Sequence, residues 1–580
     1  MTKLPHVKDT DQTTSAPALS SLSESQPINN GSCAEHNNVD IEKQDNPEKG
    51  NFTTNSHGIW GKTGWWLVIT GLFLITVMYE IDNATLYIYR NYAMSEFQQL
   101  SKLATLMTAS TIISAVAKPP IAKLSNVIGR GQTYFMTICL YIISYIIMAS
   151  AKDFSTYTAG SFLYSIGQSG TGVMNAVTVA DITTAKWRAF GLGLSFWPFL
   201  VTPWTAGFIV ETVTAQTGIG WRWGIGMMAI LMPFCGSFIT TTLWYYQRKT
   251  KRLGSTPACN KISVHEFCSQ IDLGGILLFA GGLGSLLLPL TLAATTPQSW
   301  GTPWIGALVA VGAVLLTILP FYEHCLAKNP LVPPRYFANR TIALCLMLIL
   351  CDGISYGATH TYTYAWATVA KGLSARDATF YTYTTSVTQT LITIISGLVM
   401  AKTRRYKWLC ILGSAIQLIG YGVMLRLRGA ENSRVEIYLQ QVVQGLGAGT
   451  FATSLLVPCQ VVVTHAEMPQ VTSLFLCFAF VGGSIGACIA GSIYTNTLEP
   501  ALWNYLGNEA TAEKITALAN SVTGAVAAWG SPERTAVSFA FSGVLHYITY
   551  AAVGTAVIPF ISSFFMTNYE LPEKNNLVDK

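Results

Sequence analysis

The chain has 580 residues, 51% of them apolar and only 11% charged, with a formal net charge of +6 and a mean hydropathy of +0.39. Soluble globular domains carry roughly 25% charged residues, so this composition excludes one, and the small positive charge requires no nucleic acid. Long apolar runs instead point to helices in a lipid bilayer, where backbone groups must hydrogen-bond one another.

In chain order, residues 1–60 are polar and read as a disordered tail. They lack the short apolar run and cleavage site of a signal peptide. Trp60, Trp65 and Trp66 form an interfacial anchor for the first span. Candidate spans follow near 65–84, 103–121, 133–151, 157–180, 188–210, 223–246, 272–293, 303–321, 341–366, 380–401, 407–425, 437–464, 470–494 and 543–566. Each is long enough to cross a hydrocarbon core of about 30 Å. The predicted class is an all-α polytopic membrane protein. Its expected divisions are a tail at 1–60, a six-helix half at 61–253, a linker with two extra helices at 254–335, a second six-helix half at 336–566, and a tail at 567–580. The second half includes a long loop at 499–540 with a moderately helical middle.

Basic residues choose an orientation. Lys118, Lys123, Arg130, Lys186, Arg188, Arg248, Lys249, Lys251 and Arg252 fall in alternate loops. So do Lys328, Arg335, Arg340, Lys402, Arg404, Arg405 and Lys407. The intervening loops are poorer, the densest holding Arg426, Arg428 and Arg434. The positive-inside rule places the first set and both termini in the cytosol. The twelve cysteines show no CxxC or CxxH spacing, so no resident zinc or iron–sulfur cofactor is expected.

The loop after the second span reads Ala122-Lys-Leu-Ser-Asn126-Val-Ile-Gly129-Arg130. It resembles the Gly-x-x-x-Asp-x-x-Gly-Arg loop of the major facilitator superfamily. Gly129 permits a tight turn, and Arg130 can meet acids or carbonyls at helix ends. The first Gly is Ala122 here and the acid is Asn126, which weakens a charge relay but keeps hydrogen-bonding capacity. Lys402-Thr-Arg404-Arg405-Tyr-Lys407 occupies the same place in a second half if spans seven and eight are inserted. The local sequence is similar to fungal siderophore–iron transporters at Lys118-Pro119-Pro120, Tyr157-Thr-Ala-Gly160-Ser-Phe-Leu-Tyr164 and Val179-Ala-Asp181 through Trp187-Arg188. Trp221-Arg222-Trp223-Gly224 and Tyr438 through Gln444-Gly445-Leu-Gly-Ala-Gly449 extend the resemblance. It implies a fourteen-span carrier at the plasma membrane, or at endosomal or vacuolar membranes, that imports ferric siderophores with protons. Relatives of that family handle haem or glutathione. The fifth span, Ser195-Phe-Trp197-Pro198-Phe-Leu-Val-Thr-Pro203-Trp204, lacks the Gly-Pro pattern of drug antiporters.

Charged residues inside spans need a reason, since each costs a few kcal/mol on insertion scales. Glu80 and Asp82, at the end of the first span, are two residues apart and point to opposite sides of a helix. One of them faces a cavity, with Tyr79 beside it, or both lie solvated at the outer surface. In the ninth span Asp352, Ser355, Tyr356, Thr359, His360 and Thr363 form one polar stripe. Asp352 and His360 are candidate proton carriers. Tyr356, Tyr362, Tyr364 and Trp366, then Tyr381 and Gln389 in the tenth span, offer surface for a bulky oxygen-rich complex. An interfacial aromatic belt is the alternative for the tyrosines. Gln168 and Asn175 on the fourth-span stripe face the cargo path or glue helices together. Asp181, followed by Lys186 and Arg188, reads as an ion pair or gate at the cytosolic end.

The expected activity is therefore transport by alternating access of a monomer, not catalysis. Protons and a ferric hydroxamate-type siderophore are the expected partners, with iron arriving already chelated. Haem import or glutathione exchange is the alternative within the family, and a non-transporting nutrient receptor the alternative of another class.

Overall fold

Helix boundaries follow the chain's own punctuation. In the computed structural model, residues 56–97, 103–214, 218–252, 264–293, 301–328, 330–465, 467–507, 510–520 and 528–572 are described. The expected tail falls, up to residue 55, outside the described residues, as does 573–580. The described residues all belong to one unit, Glu48–Lys580.

The first half comprises α1 (Ser56–Glu96), α2 (Leu103–Val127), α3 (Arg130–Ser150), α4 (Phe154–Ile182), α5 (Arg188–Ser195), α6 (Thr202–Thr214) and α7 (Gly220–Arg252). The linker holds α8 (Val264–Ile271), α9 (Leu273–Leu292), α10 (Pro303–Cys325) and the short α11 (Pro334–Ala338). The second half comprises α12 (Arg340–His360), α13 (Thr363–Val369), α14 (Ala375–Thr403), α15 (Lys407–Leu427), α16 (Arg434–Val461), α17 (Met468–Leu506), α18 (Ala512–Asn520) and α19 (Pro532–Ser563). Starts are capped by short polar side chains that accept from orphan backbone N–H groups. Asp153 caps α4, and Ser433 and Glu436 form a reciprocal box at α16.

Two expected spans are broken. The fifth is split into α5, a 3-10 turn at Trp197–Leu200, and α6. Pro198 and Pro203 each lack an N–H and push the preceding residue away from helical geometry. The ninth is interrupted at Thr361–Tyr362, so Thr363 belongs to α13 and the polar stripe does not run along one straight helix. The loop expected at 499–540 is shorter. α17 continues to Leu506, α18 occupies 512–520, and α19 starts at Pro532 behind its Ser531 cap.

Among the described residues, ten helices are long and apolar enough to cross a membrane, and 273–289 is a shorter apolar helix. The expected spans outside that set are α2, α4 and the α5–α6 pair. α2 carries Lys118, Pro119, Pro120 and Lys123, and α4 is rich in Ser, Thr and Gly. Both face protein more than lipid, so their sequences are released from the demand for a continuous apolar surface.

The two halves repeat one packing scheme. α3 lies against α4 and α7 as α15 lies against α16 and α19, and α1 meets α7 as α12 meets α19. The halves join along α2–α17 and α5–α14. The inserted helices α9 and α10 pack on each other, with α9 touching α2. Asp272 ties them to each other and to the segment before α11 by accepting from Gly275 N, Tyr322 Oη and Leu331 N. α10 lies at the periphery, with Trp304, Val311, Val314, Ile318 and Phe321 exposed along it.

The α12–α17 crossing depends on missing side chains. A Cβ at Gly357 would sit 2.2 Å from Gly483 O, and one at Gly486 2.1 Å from Ile354 O. Gly486→Val is expected to cost at least about 1–3 kcal/mol and to lower the monodisperse fraction recovered in detergent. Gly422→Ala, with nothing within 4 Å, should melt as the parent chain does.

Candidate functional site

The two acids of α1 are both buried, Glu80 at 4% exposure and Asp82 at 0%. The solvated-surface expectation for them is corrected by the length of their helix. α1 runs on to Glu96, which leaves Asp82 about 20 Å from its end at 1.5 Å per residue. The two acids differ in their partners. Asp82 Oδ2 accepts from Tyr164 Oη at 2.6 Å, and the Arg90 guanidinium lies 5.5 Å from the centre of the Tyr164 ring. Gln168 donates to Tyr164 Oη and to Asn83 Oδ1, both at 3.1 Å. Asp82 is thus held between two helices with a cation nearby. Glu80 makes no hydrogen bond among the described residues. It lies within electrostatic reach of Tyr79 on its own helix and of Tyr383 on α14.

That second contact crosses between the halves. Tyr383 is also within reach of Tyr87 on α1 and Tyr356 on α12, and the Tyr356 hydroxyl is 3.3 Å from Ser386 Oγ, one turn along α14. Tyr364 lies within reach of Tyr87 and Tyr92. Those two are 36% and 45% exposed, so this tyrosine wall is reached from the end opposite the basic loops. Tyr362 stacks on Tyr494 of α17, with centroids 4.1 Å apart and planes 5° apart.

Other expected contacts are placed elsewhere. Trp366 is fully buried and its Nε1 donates to Ser542 Oγ at 3.0 Å. Tyr381 is fully buried and accepts from Gln440 Nε2 at 2.7 Å. Both are core residues of the second half, and the wall residue on α14 is Tyr383, two positions further on. Asn175 accepts from Tyr134 Oη at 2.8 Å and binds α4 to α3. Gln389 is half-buried on α14, its carbonyl against Gly449 of α16. Asp352 accepts from Gln417 Nε2 of α15. The His360 ring stacks on Tyr356 at 4.0 Å, with Nδ1 3.1 Å from the Tyr356 carbonyl.

Arg428 escaped the sequence reading, which counted it among loop charges. It is 1% exposed. It donates to the Thr359 carbonyl at 2.9 Å and to Thr363 Oγ1, gripping both sides of the α12–α13 break. Its position one residue past the end of an apolar helix resembles any loop arginine, so only the fold reveals its burial.

At the basic-loop end the halves are closed. Gly129 has φ +102°, a conformation that favours glycine. That turn brings Arg130 Nε to 3.1 Å from Asp181 Oδ2. The same arginine donates to Asn126 Oδ1 at 2.6 Å and Ser125 Oγ at 2.9 Å. Asp181 is therefore paired with Arg130, and it supplies the charge that Asn126 lacks. Arg188 is buried at the start of α5. From the second half, His465 Nδ1 comes within 3.9 Å of Asp181 Oδ1. Lys118 donates to Ser169 Oγ at 3.1 Å and lies 4.0 Å over the Phe480 ring of α17. Glycines permit the other seam: a Cβ at Gly397 would lie 2.7 Å from Phe190 Cα.

Two repeated helical halves, a Gly-Arg turn at their joined ends and a wall open at the other end describe a carrier. The sequence signature of the Major Facilitator Superfamily matches residues 71–487. The chain belongs to that superfamily. It is a multi-pass membrane transporter, not an enzyme, and its relatives place it among the fungal siderophore–iron transporters. The MFS siderochrome iron transporter C of Aspergillus fumigatus is 30% identical over 526 residues, covering 88% of this chain and 85% of that protein. The low affinity heme transporter str3 of Schizosaccharomyces pombe is 30% identical over 519 residues, covering 86% and 81%. Siderophore iron transporter ARN1 of Saccharomyces cerevisiae is 28% identical over 503 residues, covering 84% and 79%. Among solved structures, the human organic anion transporter MFSD10 superposes with a TM-score of 0.51 at 10% identity, covering 86% of this chain and 98% of that one. A peptide transporter, POT, gives 0.51 at 15% identity, covering 87% and 96%.

Asp181→Ala strips the Arg130 cluster of its full negative charge and frees His465. The basic-loop end is expected to open, seen as faster labelling of a cysteine placed at Ser473, with transport reduced at least about ten-fold, or 1.4 kcal/mol. Unchanged labelling would show that the Asp181–His465 contact does not hold the halves together.

Proposed function

We propose that this transporter imports ferric siderophores of the hydroxamate type by proton symport, with Glu80 as the coupling carboxylate. The observation that carries this is the contrast within α1. Asp82 is bound by Tyr164 with Arg90 nearby, whereas Glu80 is buried without a hydrogen-bond partner among the described residues and faces Tyr383 across the halves. A buried carboxylate lacking a compensating partner favours its neutral form, which is what a proton carrier requires.

The tyrosine wall suits the cargo. A ferric trihydroxamate complex is bulky, part apolar and rich in acceptor oxygens, and phenols supply both flat apolar surface and O–H donors. Iron arrives chelated, so no protein ligand or resident cofactor is required. Substrate enters from the side of Tyr87 and Tyr92 while the Arg130–Asp181–His465 cluster closes the other end. Protonation of Glu80 with cargo bound then permits the halves to rock. The protein works as a monomer in the plasma membrane, with both termini on the cytosolic, basic-loop side. Haem is the second reading, supported by the str3 relative and by the stacked Tyr362–Tyr494 pair, which offers a flat face to a planar macrocycle.

Cells expressing the chain should accumulate radiolabelled iron supplied as a ferric trihydroxamate, and an uncoupler should abolish the uphill component. Glu80→Gln should reduce that component at least about a hundred-fold. Uptake indifferent to the uncoupler would sink symport. Full competition by haem, with none by excess unlabelled trihydroxamate, would move the substrate to the second reading.

A further inference from the structure

The first half buries polar atoms that hydrogen-bond no other described residue. They include Asp82 Oδ1, the hydroxyls of Tyr89, Tyr141 and Tyr157, and Arg90 Nε. Three of these residues, Asp82, Arg90 and Tyr141, surround Tyr164 together with Tyr145. The Tyr141 and Tyr145 rings are stacked at 5.5 Å, and they lie 5.4 and 5.8 Å from the Tyr164 ring. Asp82 bonds the Tyr164 hydroxyl and Arg90 lies over its ring. Tyr157 is within electrostatic reach of Arg90. Its ring is 5.9 Å from Trp221, whose Nε1 donates at 2.6 Å to Glu96, which is 48% exposed. At the other end, Tyr141 is within reach of Asp82, Tyr79 and Glu80 together.

Buried polar groups without a protein partner are satisfied by ordered water. We infer that this seam is a water-threaded proton route, running from the Glu96 rim past Tyr157 and Arg90 to Asp82, and through Tyr141 to Glu80. The inference rests on the symport reading of Glu80. Each hydroxyl or water takes a proton on a lone pair and releases its own to the next oxygen. The net change is one proton taken from water at the rim and one carboxylate, Glu80, converted to the acid. Only O–H bonds form and break. The groups facing Asp82 are Tyr79 and Arg90 on α1, Tyr141 and Tyr145 on α3, and Tyr164 on α4.

The route answers a geometric difficulty. A cargo large enough to fill the space between the halves shuts Glu80 off from the water through which it entered. A seam behind α1, inside one half, stays wet while the cargo is bound. The second half places Asp352 with Gln417, Tyr421 and Gln444 on the corresponding helices. The group bonded to Asp352 there is a side-chain amide, which donates and accepts but does not pass a proton on without tautomerising.

The test uses the full chain in proteoliposomes with a ferric trihydroxamate as cargo. Tyr141→Phe and Tyr157→Phe remove one hydroxyl each and keep the ring. Uptake driven by a proton gradient is expected to fall at least about ten-fold, while exchange of internal for external cargo without a gradient stays at the parent rate. Equal loss of both activities marks the tyrosines as packing residues and overturns the route, as does parent-level driven uptake. Parent protein indifferent to the gradient overturns symport itself, so the two failures are distinct. Should Tyr141→Phe fail to fold, Tyr157→Phe, at the far end of the seam, decides alone.

Discussion

A formal charge held inside a hydrocarbon slab costs a few kcal/mol even on insertion scales, and the buried charges of this protein show how that cost is met. At the basic-loop end, half-buried Arg130 is met by Asp181, Asn126 and Ser125. Arg428 is met by a carbonyl and a hydroxyl. Lys118 is met by Ser169 and the face of Phe480, and Asp82 by Tyr164 with Arg90 behind it. Helix breaks, glycine crossings and cross-half contacts are the means by which those partners reach one another. Glu80 stands apart from the pattern, and the exception falls where the two halves face each other.

The repeat sharpens the contrast. Each half begins with a helix carrying an acid, Asp82 on α1 and Asp352 on α12, and each acid is bound by a neighbouring helix of its own half. The first uses phenols and the second uses amides. The proton route inferred above lies in the first half, and the second holds its acid against a neutral amide.

Much of this was legible in residue order. Apolar run length revealed the helices, basic loops marked one end, and Gly129-Arg130 located the turn that closes it. Pro198 and Pro203 were visible but not their consequence, because a single proline bends a membrane helix as often as it ends one. The solvated-surface alternative for Glu80 and Asp82 fails because α1 continues through the polar stretch Tyr87–Glu96, whose composition resembles a loop. Trp366 and Tyr381 were taken for wall residues because aromatic identity does not say which face of a helix meets a neighbour. Tyr383 differs from Tyr381 by two positions, about 200° around the axis, and only tertiary packing chooses between them. Arg428 was hidden for a different reason: its partners are a carbonyl and a hydroxyl 69 and 65 residues away.

The peripheral helix α10 has a consequence of its own. Only 11% of its most apolar window is buried within the protein, so lipid rather than protein surrounds it. Its 23 residues measure about 34 Å at 1.5 Å per residue, close to the hydrocarbon thickness of a bilayer. A helix with few protein neighbours adjusts to a thinner or thicker membrane by tilting, at fractions of a kcal/mol per Å. Because α9 joins it to α2, and α2 joins α17 across the halves, the lipid-facing helix is linked by direct packing to the seam between the halves.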